Sequence, residues 1–338
     1  MAAGANYWRL SVDPRTGEPI GLARKITQWA GFCLGSTSAT ADGKKLVFTE
    51  PAERGAVYVG QLQRGGTRLA AAQRLSLLEG WTRPTGWTPD SKAVFFVSNN
   101  DGAWGLYKQA LGTESAERIL GGLRNIPLQT PVTPDGNWLL YIANDDEQDP
   151  DSPQQLMRVP ITGGHPEPIL SGRLRSVRCP QRGLCVFDEW SSDHKQVLLF
   201  RLEPSRGKSS ELTRLDAPGT SNFDWAISPD GTQIAVFNGR LPIKIVSLHD
   251  GSVLHEVRIA DWNGADNLMW TNDATGMYVS TPVQDGCVLL RVNLKGRVQV
   301  MWEQRGGLST AAIPSPDGRH LAMLGWTLSS NAWMMQNF

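Results

Sequence analysis

One recurring unit restricts this chain more than any other feature: a tight acidic turn, usually with a glycine, followed by a short apolar strand. Asp42-Gly43 leads into Leu46-Val47-Phe48, and Pro89-Asp90-Ser91 into Ala93-Val94-Phe95-Phe96-Val97. Pro134-Asp135-Gly136 leads into Trp138-Leu139-Leu140-Tyr141-Ile142, and Pro229-Asp230-Gly231 into Ile234-Ala235-Val236-Phe237. Asn272-Asp273 precedes Met277-Tyr278-Val279, and Pro316-Asp317-Gly318 precedes Leu321-Ala322-Met323-Leu324. Successive aspartates stand 48, 45, 95, 43 and 44 residues apart. The interval of 95 spans two repeats, and an eroded unit, Pro180-Gln181-Arg182-Gly183 before Leu184-Cys185-Val186-Phe187, stands where the missing one is due.

A period in the mid-forties is that of β-propeller blades, each of four antiparallel strands. The turn chemistry agrees. Proline presets φ at the second turn position, aspartate hydrogen-bonds its local backbone, and glycine accepts positive φ. A polar loop such as Asn99-Asn100-Asp101-Gly102 follows the second strand, then a third strand and a more polar fourth one. Apolar inner strands grading to polar outer ones are what radial packing around an axis requires. The expectation is an all-β chain, one propeller domain over residues 1–338, with seven four-stranded blades whose turns lie near 42, 90, 135, 183, 230, 273 and 317.

The segments Ile227-Ser228-Pro229-Asp230-Gly231-Thr232-Gln233-Ile234-Ala235-Val236-Phe237 and Phe96-Val97-Ser98-Asn99-Asn100-Asp101-Gly102 resemble TolB-type, WD-repeat-like propeller repeats. That resemblance covers essentially the whole chain. A narrower one involves the last three repeats, the ending Gly325-Trp326-Thr327-Leu328-Ser329-Ser330-Asn331-Ala332-Trp333-Met334-Met335, and the eroded fourth repeat with Ser209-Ser210-Glu211-Leu212. It is similar to the C-terminal propeller of bacterial serine/threonine protein kinases and winged-helix regulators. The resemblance implies a sensing or recruiting module behind an output domain.

Ring closure normally joins the chain ends in one blade, which removes open sheet edges. The C-terminus offers strands at 311–313, 321–324 and 332–335, so Arg24-Lys25-Ile26-Thr27 is expected to supply the outermost closing strand. Tyr7-Trp8-Arg9-Leu10-Ser11-Val12 is then surplus, and residues 1–22 read as a strand left from a longer parent protein.

Composition enters where it excludes. Lys plus Arg equals Asp plus Glu at 33 each, so the broad basic footprint of a nucleic-acid binder is missing. No apolar run reaches the length of a membrane span, and the first residues lack the basic and apolar regions of a signal peptide. As given, the chain reads as cytoplasmic, or periplasmic if a signal or membrane segment lies upstream in a longer parent. The four cysteines, Cys33, Cys179, Cys185 and Cys287, form no C-x-x-C pair. Cys179 and Cys185 flank a turn that lets them meet in a hairpin, and they also suit two reduced thiols in a sheet protein; sequence does not establish the geometry a bridge needs.

No G-x-S-x-G elbow occurs, so a serine hydrolase lacks its nucleophile. His165, His194, His249, His255 and His320 are scattered over different units, which gives no metal cluster. The acidic run at 144–151 lacks the spacing of a calcium loop and reads as a solvated loop. Asp42, Asp90, Asp135, Asp230, Asp273 and Asp317 read as structural turn formers, because one active site does not need repeated copies. Trp87, Trp225 and Trp270, at the ends of inner strands, read as inter-blade packing. Trp104 and Trp190 read as exposed loop residues suited to partner contact. The functional expectation is a non-catalytic, cofactor-free sensor or interaction platform, probing a protein or small ligand and no nucleic acid. The alternatives are a stand-alone propeller lyase or hydrolase using the central channel, and a periplasmic TolB-like scaffold.

Overall fold

A computed structural model of the protein describes residues 6–28, 35–78, 80–124, 126–144, 153–203, 207–217, 223–238, 242–262 and 264–336. Every helix or strand among them is a β-strand. They fall into two compact units, Met1–Glu53 with Leu328–Phe338, and Arg54–Thr327. The division passes through two long strands, Lys45–Gln63 and His320–Gln336. Cys33 and residues 145–151 of the acidic loop lie outside the described residues.

In the larger unit five separate antiparallel sheets follow one another. Blade one is Thr82–Trp87, Ala93–Ser98, Trp104–Ala110 and Glu117–Leu123, each strand paired with the next. Blade two is Trp138–Ala143, Gln154–Pro160 and Glu167–Gly172, with Val132 bridging Leu139 in place of a full inner strand. Blade three begins at Leu174–Arg178, blade four at Phe223–Ile227 and blade five at Asn267–Trp270, and each has four strands. A composite sheet takes the remaining place. There Ala312–Pro314 pairs with His320–Gln336, which neighbours Lys45–Gln63, which pairs with Gln73–Arg74.

The core explains this arrangement. Successive strand residues point to opposite faces, and in the second strands both faces are apolar and covered. In blade one Phe95 and Val97 pack toward blade two with Leu139 and Val159, whereas Val94 and Phe96 pack toward the composite sheet with Val57 and Ala322. Leu140 and Phe187 meet between blades two and three, Val186 and Trp225 between three and four, and Ala235 and Leu268 between four and five. Tyr278 and Leu289 meet Ala312 and Met323 between blade five and the composite sheet. Each fully buried Leu, Phe or Val contributes about 1.5–3 kcal/mol, so six such layers hold the unit together. The outer strands are exposed, as in Val253–Val257.

Inner strands also touch their neighbours directly. Thr130 N–H donates to Thr85 O at 3.0 Å, and the two threonine hydroxyls lie 2.7 Å apart. A Cβ on Gly86 would stand 2.8 Å from Thr130 O, so only glycine permits this approach. Trp270 Nε1–H donates to Ala226 O, and Trp87 Nε1–H to Ile313 O, both at 2.9 Å. The last of these contacts closes the ring between the composite sheet and blade one.

The expectation of seven blades is corrected: the described residues form five separate blades and one composite sheet. The reason lies in the turn. In Thr88-Pro89-Asp90-Ser91, the Thr88 hydroxyl donates to Asp90, Asp90 accepts Lys92 N–H, and the Thr88 hydroxyl accepts Ala93 N–H. The residue after the aspartate takes φ of 62°. The same latch joins inner and second strands at Thr133/Asp135, Ser228/Asp230, Thr271/Asp273 and Ser315/Asp317. It recurs at Ser191/Asp193, between the second and third strands of blade three, and at Thr40/Asp42 in the smaller unit. The latch therefore marks a hairpin, and it does not report whether that hairpin belongs to the ring.

A C-terminal strand, His320–Gln336, does lie beside one from the N-terminal part of the chain, Lys45–Gln63. The strand expected from Arg24-Lys25-Ile26-Thr27 is corrected: Pro19–Lys25 pairs with Trp8–Val12 as an exposed hairpin in the smaller unit, Trp8 opposite Lys25. That unit also holds Thr37–Ala39 against the start of Lys45–Gln63, Tyr7 against Phe48, and Trp333 Nε1–H on Glu50 at 2.9 Å. In blade three, the inner turn that lacks the latch is closed by a Cys179–Cys185 disulfide, so the reading of two reduced thiols is set aside.

Thr133→Val removes a hydroxyl that donates to Asp135 and accepts Trp138 N–H, and should cost about 1–2 kcal/mol in urea unfolding. The hydroxyl donors hold Asp90 and Asp135 below the usual carboxylate range, and Ser252 holds Asp250 down to about 2. A depressed folded pKa gives stability that is present above about pH 4 and lost as pH falls toward 2; an unfolding midpoint constant over that window would refute this. Separately, Cys179→Ser with Cys185→Ser reopens a seven-residue loop and should lower stability by about 2 kcal/mol.

Candidate functional site: the axial channel

The inner strands line two cavities along the axis of the larger unit. Their first halves enclose a chamber of about 410 Å³. Their second halves and turns frame an open mouth of about 530 Å³, and Gln129 lines both.

The chamber is built on charge. Arg175 and Arg178 stand on the inner strand of blade three, Arg83 on that of blade one, and Asp224 and Trp225 on that of blade four. Arg175 Nη1 lies 2.8 Å from Asp188 Oδ2, and its Nη2 donates to Phe223 O at 3.1 Å. Its guanidinium sits over Trp190 at 4.5 Å and over Phe223 at 4.9 Å. Asp188 is completely buried, and its other oxygen accepts the Ser176 N–H and hydroxyl at 2.8 and 2.6 Å. A fully desolvated carboxylate survives when it is satisfied in this way.

Arg178 Nη2 lies 3.1 Å from Asp224 Oδ1. Burial pushes the Asp224 carboxyl up, against Arg178 and the N–H groups of Trp225 and Leu268, which favour its charged form. Arg83 has neither arrangement. Its Nε is buried with no hydrogen-bond partner, and among the described residues no carboxylate closes an ion pair on it. Burial pushes its guanidinium down to about 10, opposed by Asp224 and assisted by the like charge of Arg178. It remains protonated at neutral pH.

The mouth is different. Pro89, Pro134, Pro180, Pro229 and Pro316 ring it, with Trp87, Trp270 and Ile313 deeper. Gln181, on the disulfide-closed turn of blade three, donates across it to Pro316 O at 3.1 Å. Pro316 belongs to the composite sheet, three places round the ring. Neighbouring turns also touch: Asp317 N–H donates to Ser91 Oγ at 3.0 Å, and a Cβ on Gly231 would meet Pro180 at 3.2 Å. The wall combines prolines and aromatic rings with polar groups such as Gln129, Thr133 and Asn272, which is the make-up of a recognition surface.

The residues singled out from sequence are spread over both cavities and beyond them. Asp90 and Asp317 lie at the mouth and hold turns; Asp135, Asp230 and Asp273 hold the other turns of the ring, and Asp42 one in the smaller unit. Trp104 and Trp190 are corrected: they are half-buried strand residues, not exposed loop residues. Trp104 packs edge-on against Trp81 at 5.6 Å, and Trp190 supports Arg175. His194 forms part of a latch with φ of 55°, and His320 lies against Trp87. Among the described residues no group of three or more His, Cys, Asp or Glu is placed to hold a metal. Cys287 is a buried thiol that burial raises to about 11. The arginines escaped the sequence reading. Their signal was a charged residue inside an inner strand, as in Leu174-Arg175-Ser176-Val177-Arg178.

No family model and no curated protein matches this sequence. Solved structures do. A TolB-like protein from Agrobacterium tumefaciens superposes with TM-score 0.55 at 16% identity, over 81% of this chain and 99% of its own. TolB from Acinetobacter baumannii gives TM-score 0.50 at 16% identity, over 75% of this chain and 65% of its own. A chain of the nidogen/laminin complex gives TM-score 0.54 at 10% identity, over 80% and 98%. These likenesses show the fold, a TolB-like β-propeller of antiparallel blades.

Asp188→Ala should destabilise the protein by about 3–5 kcal/mol, because it strands Arg175 without its counter-ion. Adding Arg175→Leu should restore part of the loss. A urea midpoint unmoved by the single change would show that the pair does not stabilise blade three.

Proposed function

We propose that the propeller is a non-catalytic binding platform, recognising a protein or a small ligand at the axial mouth. The observation that carries this reading is that turns from all around the ring converge on one open, proline-lined cavity. A site made by every repeat is rigid, and rigidity limits the ordering entropy lost on binding. The chain of similar fold in the nidogen/laminin complex is itself part of a protein assembly.

The platform is proposed to act as a sensor, as the C-terminal part of a bacterial kinase or transcription regulator; the likeness of the last repeats and of the ending at 325–335 supports that parent. A second reading, a periplasmic TolB-like scaffold, is favoured by the Cys179–Cys185 disulfide, since structural disulfides persist in oxidising compartments.

A photo-crosslinking residue at Gln181, and as control at exposed Gln299 on an outer strand, tests the mouth in source cells. A partner captured from position 181 and not from 299 is the expected result; equal capture at both, or none at 181, refutes the mouth as the recognition surface. The mass of the native polypeptide on the same blots separates the parents. A product far above 37.1 kDa supports an attached output domain, and one of that size removes it.

A further inference from the structure

The mouth leaves the charged chamber behind it without a role, and the chamber contains an unusual imbalance. Of its three guanidinium groups, Arg175 has Asp188 and Arg178 has Asp224. Among the described residues Arg83 has no such partner. The remaining carboxylate of the chamber, Asp266, is raised by burial, and among the described residues it forms no ion pair with Arg83. A cation in a protein-walled cavity is disfavoured without a counter-ion, because part of its hydration is lost and no ion pair replaces it. A threonine meets the demands of this strand at lower cost, as Thr82 and Thr85 do in the same strand. The neighbouring Trp225 adds a second unsatisfied donor: its indole N–H is buried and has no acceptor.

We propose that the chamber is a binding site for an organic monocarboxylate, held by the Arg83 guanidinium. The guanidinium fork matches two carboxylate oxygens, and only donors are left over here, so the missing group is an acceptor. The charge count selects one negative charge. Asp224 and Asp266 share the chamber, and a dianion such as phosphate would be repelled by both at short range in a poorly screened cavity. Phe223 and Trp225 supply apolar wall for the body of an acid. This site is distinct from the mouth and does not depend on the mouth's being a recognition surface. The same chemistry suits a free small acid or the terminal carboxylate of a peptide.

Calorimetric titration of the full chain uses benzoate, its neutral isostere benzamide, inorganic phosphate, and the tripeptide Ala-Ala-Phe with a free or amidated C-terminus. Benzoate or the free tripeptide should bind the native protein, benzamide and the amidated peptide should not, and phosphate should bind more weakly. Binding by benzoate identifies a free acid, and binding by the free tripeptide alone identifies a peptide terminus. Arg83→Gln should weaken the binding at least tenfold, and Arg83→Lys should weaken it less. If Arg83→Gln fails to fold, the Arg83 Nε–H resonance of the native, 15N-labelled protein serves instead, and it should move on addition of the binding acid and not of its amide. The proposal is overturned if no acid binds, if acid and amide bind alike, if phosphate binds more tightly, or if neither Arg83 variant nor the Arg83 resonance responds. None of these outcomes bears on the mouth, which crosslinking from Gln181 tests independently.

Discussion

A β-sheet whose two faces are both apolar has no stable state in water until something covers each face, and that constraint organises the larger unit of this protein. Phe95 and Phe96 are adjacent and both completely buried. Because a strand sends neighbouring side chains to opposite sides, one of them needs blade two and the other the composite sheet. The same holds for Leu139 with Leu140, and for Val186 with Phe187. A linear stack would leave two bare end faces. Bending the stack into a ring removes both, and the contact of Trp87 with Ile313 is where the removal is completed.

The ring places the beginnings of the inner strands at one end of the axis and their turns at the other. At the turn end, the hydroxyl–aspartate latches set the backbone and leave prolines and aromatic rings facing a common cavity. At the other end, blades three and four are joined by polar contacts: Arg175 reaches Phe223 O and Arg178 reaches Asp224. Trp225 illustrates the exchange. Its counterparts Trp87 and Trp270 each donate their indole N–H to a neighbouring inner strand, whereas the Trp225 carbonyl accepts from Arg178 and its indole N–H is unsatisfied. Blade three thus contributes Arg175 and Arg178 to the charged chamber at one end of its inner strand, and at the other end a disulfide replaces the turn latch.

Much of the fold was legible in the residues. Turn, strand and period are local properties, so Pro229-Asp230-Gly231 before an apolar run announced its hairpin, and their recurrence announced a propeller. The number of blades was not legible. Thr40/Asp42 and Ser191/Asp193 form the same latch as the ring's inner turns, yet one lies in the smaller unit and the other one strand further out in its blade. A latch is satisfied by six consecutive residues, as from Thr88 to Ala93, and nothing in it depends on where the hairpin packs. Trp104 and Trp190 were misread for a related reason: their neighbours Trp81 and Arg175 are 23 and 15 residues away, and only the sheet pairs them.

The sequence by itself determined an all-β propeller of antiparallel blades, its hairpin turns and the apolar faces of its inner strands, because these follow from short-range backbone chemistry and from a period of two. Only the tertiary structure decided which strands close the ring, that Cys179 meets Cys185, and that Arg83, Arg178 and Asp224 face one chamber. The bridge depends on the geometry of a single hairpin whose two cysteines stand six residues apart. The chamber depends on which residues the ring carries to the axis from repeats more than 40 residues apart, and a charge on an inner strand acquires its meaning only from what stands opposite it.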